Sequence, residues 1–328
     1  MTNAPGSTPA PAAPELSPTS NRVAAVIVTF NRLAKLPKTL ETVRAQDHAP
    51  EWIVVVNNNS SDGTGEYLDG LSAQGFPGLV VMHLPENIGG AGGFEMGMEK
   101  GYELGADHVW VMDDDCYPDP SALRLLIEQR EQASRVLERE VPFACSLVKY
   151  IDGTLCEMNN PVMSWDWPRA HLLGADALLV IECTFVSVLF PRFTIQEQGL
   201  PLRDYFIWFD DKEYTKRLER AYGPGIIVLA SEVVHDMGVN AGVNYRQVTE
   251  ENLWKFEKGA RNQASFRRHY EGRWPYINYV RHVILQMREG KVAKPVQKRM
   301  RKALWSARTF NPKPRFPGAP SPGSRQER

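Results

Sequence analysis

The stretch His108-Val109-Trp110-Val111-Met112, followed by Asp113-Asp114-Asp115, decides how this 328-residue chain is read. Five apolar or aromatic positions in a row predict a buried strand. Three carboxylates then stand just past its end, at the carboxyl edge of the sheet, where open α/β folds bind their ligands. Three acidic side chains this close repel one another. Something positive must hold them ionised, and a divalent cation gripping a phosphate or diphosphate is the simplest candidate. Oxygen ligands favour Mg²⁺ or Mn²⁺ over zinc. The competing reading is a solvated acidic turn.

Working outward, the same pattern recurs upstream. Val23 to Val28, Trp52 to Val56 and Leu79 to Leu84 predict three more buried strands. Helical periodicity through Leu33, Leu36, Leu40 and Val43 follows the first of them, and a glycine-rich helix from Gly89 to about Leu104 follows the third. Asp62 is placed to cap the helix between the second and third strands. The β-α-β-α-β-α-β order predicts a doubly wound, mainly parallel α/β sheet. Parallel topology brings four loops to one edge. They carry Thr29, Asn31 and Arg32; Asn57, Asn59 and Asp62; Asn87 and Gly90; and the aspartates.

The run Gly89-Gly90-Ala91-Gly92-Gly93 is not a dinucleotide fingerprint, because Gly90-x-Gly92 would need glycine where Glu95 stands. Two readings stay open for it, close packing of a helix start on the sheet and contact with a ligand. Downstream, Tyr205-Phe206-Ile207-Trp208-Phe209 precedes a second acidic cluster, Asp210, Asp211 and Glu213. These carboxylates either cap a helix or include a general base beside an acceptor hydroxyl. His235 ends a short predicted strand, where a lone histidine is more often packed than a ligand. Phe143 to Tyr150, Ala177 to Ile181, Thr184 to Phe190, Ile226 to Leu229 and Val233 to Val234 are the strands expected in this half.

A formal net charge of −1 argues against nucleic acid as a partner of the whole chain. The charge is polarised: from Arg261 onward there are 17 Lys or Arg against three acidic residues. A basic, aromatic tail with Trp274 and Trp305 fits an anionic membrane surface or an RNA, or a solvated or packed helical face. Four cysteines without C-x-x-C spacing favour neither structural zinc nor a disulfide scaffold. With no apolar run of the ~18 residues needed to span a bilayer, a cytoplasmic protein is expected, resting peripherally on the membrane if the tail binds it. The expected organisation is a disordered tail over 1–21, a catalytic domain over 22–245, a basic helical extension over 246–310 and a second disordered tail over 311–328.

Val26-x-Val28-Thr29-Phe30-Asn31-Arg32, Asn57-Asn58-Asn59-Ser60-Ser61-Asp62-Gly63-Thr64, Glu86 to Phe94 and Asp113-Asp114-Asp115 together resemble the family 2 glycosyltransferases. The resemblance covers Val23 to Gly238. Within that family, Asn87 to Phe94, Trp208 to Tyr214 and His235 look most like the bacterial galactofuranosyltransferases, with rhamnosyltransferases next. The resemblance implies the GT-A fold, an inverting transfer from a nucleotide-sugar donor, and a carbohydrate or lipid-linked glycan acceptor. It assigns a Mn²⁺ or Mg²⁺ site to Asp113, Asp115 and His235, proton abstraction to Asp211, and acceptor contacts to Asp210, Trp208 and Glu213. Nucleotide contacts fall to Thr29, Asn31, Arg32, Asn57, Asn59, Asp62, Asn87, Gly90, Asp113 and Asp114. One position departs from the family pattern: Asn57 stands where an aspartate usually meets the nucleotide base, and an amide both donates and accepts. A sugar-phosphate nucleotidyltransferase, which shares the topology, would need a G-x-G-[ST]-R loop that Thr29 to Arg32 lacks. A non-catalytic sugar-nucleotide-binding protein is the alternative of another class.

Overall fold

Strand β1 (Val23–Thr29) is buried along its whole length, and its alternate residues enter two different cores. Ala25 and Ile27 face one side, while Ala24, Val26 and Val28 face the other. A strand with apolar residues on both faces belongs inside a sheet covered by helices on both sides. In the computed structural model, which describes residues 21–319, that is where it lies.

The first half alternates strand and helix: α1 (Leu36–Arg44), β2 (Trp52–Asn57), α2 (Thr64–Ala73), β3 (Leu79–His83), α3 (Gly89–Glu103) and β4 (His108–Asp113). The second half adds β5 (Cys116–Pro118), α4 (Ala122–Val136), β6 (Ala144–Tyr150), β7 (Val162–Met163), α5 (Arg169–Leu172), β8 (Leu178–Glu182) and β9 (Val188–Pro191). It continues through α6 (Arg192–Gln198), α7 (Asp210–Tyr222) and β10 (Gly225–His235). Three helices close the chain: α8 (Leu253–Phe266), α9 (Arg273–Glu289) and α10 (Lys294–Ser306).

The strands form one ten-stranded sheet in the order β3-β2-β1-β4-β9-β6-β10-β8-β7, with β5 on β10. β1 pairs in parallel with both β2 and β4, and β2 with β3. Thr29, Asn57 and His83 are therefore in register, and Asp113 sits opposite Val28. The predicted GT-A-like sheet edge is thus formed. Side chains of α1, α2 and α4 fill one core and those of α3, α6 and α7 the other, while α8, α9 and α10 build a third core of their own.

Several expectations are corrected. Ile226–Leu229 and Val233–Val234 are one strand, β10, whose pairing with β6 shifts register between Val228 and Glu232. The polar Ser231 and Glu232 fall in that irregular stretch, which is why the sequence read as two pieces. Thr184 to Phe190 contributes strand only from Val188, because Thr184 to Ser187 turns to enter β9. Gly63, with φ of 91°, holds the capping position of α2, and Asp62 acts one residue earlier. Its carboxylate accepts the Thr64 N–H (3.2 Å) and the Leu33 N–H (3.0 Å), tying two loops together.

The tail expected to be disordered from residue 311 is docked over residues 311–319. Arg315 pairs with Glu95 (3.0 Å) and Glu99, both on α3, and its carbonyl accepts the Leu200 N–H (2.8 Å). Composition marks Pro-rich segments as unable to build a core, but one arginine with two waiting carboxylates is enough to dock this one. Residues 1–20 and 320–328, also expected to be disordered, lie outside the described residues.

Candidate active site

The site forms where β1, β2, β4 and β10 end together. β10 runs parallel to β6 and antiparallel to β5, the short strand that follows the aspartates. His235 thereby lands opposite Cys116, one residue past Asp115. One ligand atom each from Asp113, Asp115, Cys116 and His235 lies within 4.8 Å of the others. His235 Nε2 is 3.1 Å from Asp115 Oδ1. Its other ring nitrogen, Nδ1, donates to Asn159 Oδ1 at 2.9 Å. That bond fixes the ring so that Nε2 faces the aspartates, the usual outer-shell device for a metal-binding histidine.

Electrostatics explain what such a cluster requires. Burial drives the Asp113 pKa up to about 7, with Asp115, Asp114 and Asp211 adding repulsion. Burial likewise raises Asp114 to about 7. Asp115 also feels burial, but its hydrogen bond to His235 and the charges of His235, Arg32 and Lys35 outweigh it, and its pKa falls. Against the cost of burial, the same aspartates raise His235 to about 10. The protein's own cations thus gather round the acidic cluster: Arg32 at 3.8 Å and Lys35 at 3.9 Å from Asp115 Oδ2. Two carboxylates and an imidazole suit a borderline-hard divalent cation. Cys116 is held as a neutral thiol by burial and by Asp113 and Asp115, so it is a poor ligand.

Asp210 and Asp211 open α7. Burial, then Asp211, raise the Asp210 pKa, and burial raises Asp211. Asp113 is among the charges that act on Asp210, and Asp211 among those that act on Asp113, so the two acidic clusters lie near enough to repel one another. A carboxylate with a raised pKa is better able to take up a proton.

The remaining sequence-predicted residues divide by what their side chains already touch. Asn31 accepts the Ser61 N–H (2.7 Å), and Asn57 accepts the Ser60 N–H (3.0 Å) while meeting His83 Nδ1 (3.0 Å). Asn87 accepts the Gly89 N–H (2.8 Å), and Asp114 accepts the Phe30 N–H (3.3 Å). These groups shape the loops. Thr29 is fully buried, Asn59 and Arg32 are exposed, and space is open above Gly90. The glycine run answers to both of its readings, by position. A Cβ at Gly93 or Gly97 would strike Val28 (2.5 Å) or Val26 (2.3 Å) on β1, whereas one at Gly90 would meet nothing.

Two of the expected acceptor residues are engaged elsewhere. Glu213 is buried in an ion pair with Arg217 (3.0 Å) and accepts a hydrogen bond from the Tyr270 hydroxyl. The Trp208 ring packs edge-on against Phe256 of α8, 5.2 Å between centroids. Sequence reasoning missed Asn159, Lys35 and Asp236. Lys35 bonds Asp236 (3.1 Å), and Tyr117 donates to the same carboxylate (3.1 Å). Lys35, five residues past Phe30 on a basic helix start, carried no local signal. Asn159 sits in a short 3₁₀ turn that no periodicity announces.

Comparison with known proteins agrees with this architecture. The Glycosyl transferase family 2 profile matches residues 24–137. Galactofuranosyltransferase GlfT1 of Mycolicibacterium smegmatis is 30% identical over 225 residues, covering 66% of this chain and 72% of that protein. GlfT1 of Mycobacterium tuberculosis is 32% identical over 222 residues, covering 66% and 70%. A crystal structure of GalNAc-T7 with UDP, GalNAc and Mn²⁺ superposes with a TM-score of 0.59 at 14% identity, over 90% of this chain and 57% of that one, which establishes a shared fold. With the acidic sheet edge and the second acidic cluster on α7, these matches place the chain in glycosyltransferase family 2, and it is a glycosyltransferase.

Proposed function

We propose that this enzyme moves galactofuranose from UDP-galactofuranose, with inversion, to a carbohydrate acceptor carried on a lipid, in the building of a cell-wall or surface polysaccharide. The observation that carries the reading is the convergence of Asp113, Asp115 and His235 on one point, near enough to Asp211 to feel its charge, in a chain whose relatives include galactofuranosyltransferases.

Asp113, Asp115 and His235 would hold Mn²⁺ or Mg²⁺, which when bound supplies Lewis-acid neutralisation of the leaving diphosphate. Asp211 takes the proton from the acceptor hydroxyl as that oxygen bonds to the anomeric carbon. The bond from that carbon to the diphosphate oxygen breaks, and its electron pair leaves with UDP. A single displacement from the opposite face inverts the configuration. Asp210 orients the acceptor beside Asp211. Arg32 and Lys35 lie close enough to Asp115 to offer charge to the same diphosphate. Asn57, Asn59, Asp62, Asn87 and Gly90 frame the nucleotide.

The test is a donor panel of UDP-galactofuranose, dTDP-rhamnose and UDP-hexopyranoses with a lipid-linked galactosyl or rhamnosyl acceptor. UDP release only with UDP-galactofuranose is expected. Transfer only from dTDP-rhamnose would replace the reading with a rhamnosyltransferase. Calorimetric titration with Mn²⁺ should show binding that Asp115→Asn weakens; equal affinity in both proteins would remove the metal assignment.

A peripheral membrane contact belongs to the same proposal. No helix among the described residues is long and apolar enough to cross a membrane. Arg268, Arg273 and Arg308 instead line one cavity of about 270 Å³ with Trp305, and Trp274 and Trp305 are 75% and 68% exposed. Vesicles containing anionic lipid should retain the protein, and Arg268→Gln with Arg308→Gln should release it. Equal retention of both proteins would rule this face out.

A further inference from the structure

Asn262 lies on α8, outside the catalytic sheet, and is completely buried. Its amide nitrogen lies within hydrogen-bond distance of three main-chain carbonyls, those of Tyr205 (2.8 Å), Ile207 (3.1 Å) and Trp208 (2.9 Å), its two N–H donors serving all three through one shared bond. Its Oδ1 accepts from Arg261 Nε (3.1 Å) and Nη2 (2.9 Å), and Arg261 Nη2 also reaches the Asp204 carbonyl (2.9 Å). A guanidinium only donates and a carbonyl only accepts, so the amide has one orientation that satisfies both ends.

The segment it grips is backbone that the chain would not hold unaided. Phe206 has φ of 65° and ψ of −56°, and the Ile207 N–H donates to the Tyr205 carbonyl at 2.7 Å. That is the positive-φ γ-turn, the rare and strained form. Trp208 (φ 64°) and Phe209 (φ 78°) are also left-handed. Non-glycine residues keep such angles only where their surroundings over-determine them, and they gather at functional sites.

The strained turn is flanked by both halves of the active site. Phe209 is the capping residue of α7, whose first two residues are Asp210 and Asp211, so it sets the direction in which they leave. On the other side the Phe206 carbonyl accepts the Ala91 N–H (3.2 Å) at the start of α3. The Trp208 ring lies so close to α8 that a Cβ on Gly259 would come within 2.4 Å of it.

We propose that Asn262 is a positioning residue for glycosyl transfer: by clamping the carbonyls of Tyr205, Ile207 and Trp208 it fixes Asp211 and Asp210 against the donor site. This rests on the reading of Asp211 as the base. The basic helical extension is then part of the catalytic apparatus, through one side chain that touches no substrate.

The experiment compares Asn262→Leu, Asp211→Asn and the double variant in the full-length protein. It measures turnover as UDP release with a defined acceptor, and UDP affinity by calorimetry. Misplacing a reacting group by about 1 Å costs on the order of 10²-fold, so Asn262→Leu should lose turnover on that scale while keeping its UDP affinity. In the Asp211→Asn background the same change should cost less than about threefold, because the group it positions is already gone. Wild-type turnover in Asn262→Leu, with the expected loss in Asp211→Asn, overturns the clamp alone. A full additional loss in the double variant assigns Asn262 a general structural role and overturns it too. Wild-type turnover in Asp211→Asn overturns the base assignment, and the role of Asn262 with it. Should Asn262→Leu not fold, Gly259→Ala carries the same cycle. It favours the helix while displacing Trp208, and it should lower turnover without adding to Asp211→Asn; full turnover would overturn the proposal.

Discussion

Asp211 is the base of the proposed mechanism. A general base contributes about 10²–10⁴-fold, so Asp211→Asn should lower turnover on that order and leave donor affinity nearly unchanged. Burial raises its pKa, so the protonated, inactive form persists to higher pH than for a solvent-exposed aspartate near ~3.9. Turnover should therefore climb as pH rises through the elevated pKa and flatten above it. A turnover profile with no loss on the acid side, at any pH where the fold survives, would count against Asp211. Gly89 and Gly90 make a contrasting pair. Gly89 has φ of 78°, and a Cβ there would sit 2.1 Å from the Phe206 carbonyl, whereas Gly90 has open space. Gly89→Ala should destabilise the protein by more than ~1 kcal/mol, and Gly90→Ala should be close to neutral in denaturant unfolding. If Gly90→Ala instead weakens UDP binding, its open face is where the nucleotide lies.

At the scale of the element, α7 shows how a cluster of like charge is divided. Asp210 and Asp211 open the helix, while Glu213 is drawn into the pair with Arg217, whose guanidinium also donates to the Leu200 carbonyl (3.0 Å). Removing one partner of a buried pair leaves an uncompensated charge and costs about 3–5 kcal/mol. Glu213→Ala should lower stability by that amount in urea unfolding. Acceptor KM should not change in the fraction that remains folded; a raised acceptor KM with unchanged stability would return Glu213 to the acceptor site.

Across the whole molecule, the C-terminal third is bound to the catalytic half by specific contacts. Arg315 joins Glu95 and Glu99, and Glu95 is 1% exposed. Deleting residues 311–328 strips Glu95 of Arg315 and leaves Arg203 at 3.4 Å. The loss should be about 3 kcal/mol, the lower end for a broken buried pair, read as a fall in Tm. Glu95→Gln should recover part of it in the shortened protein. No change in Tm on deletion would mean that the tail docks without stabilising α3.

The sequence by itself determined the parts of this protein that depend on local order. Apolar runs of strand length, separated by helical periodicity, form a parallel sheet whose carboxyl ends all point to one side, whatever the strand order. Thr29, Asn57 and Asp113 at their ends must then share an edge. Only the tertiary structure decided which side chains at that edge are free. Asn57, Asn87 and Asp114 are polar and well placed, but whether an amide or carboxylate is spent on a neighbouring N–H depends on loop geometry that no spacing encodes. The same holds at long range. Asn262 and Arg315 look like ordinary residues of a basic tail, and their partners lie 54–57 and 216–220 positions away. A hydrogen bond needs about 3 Å and a direction, and across such separations only the folded chain supplies both.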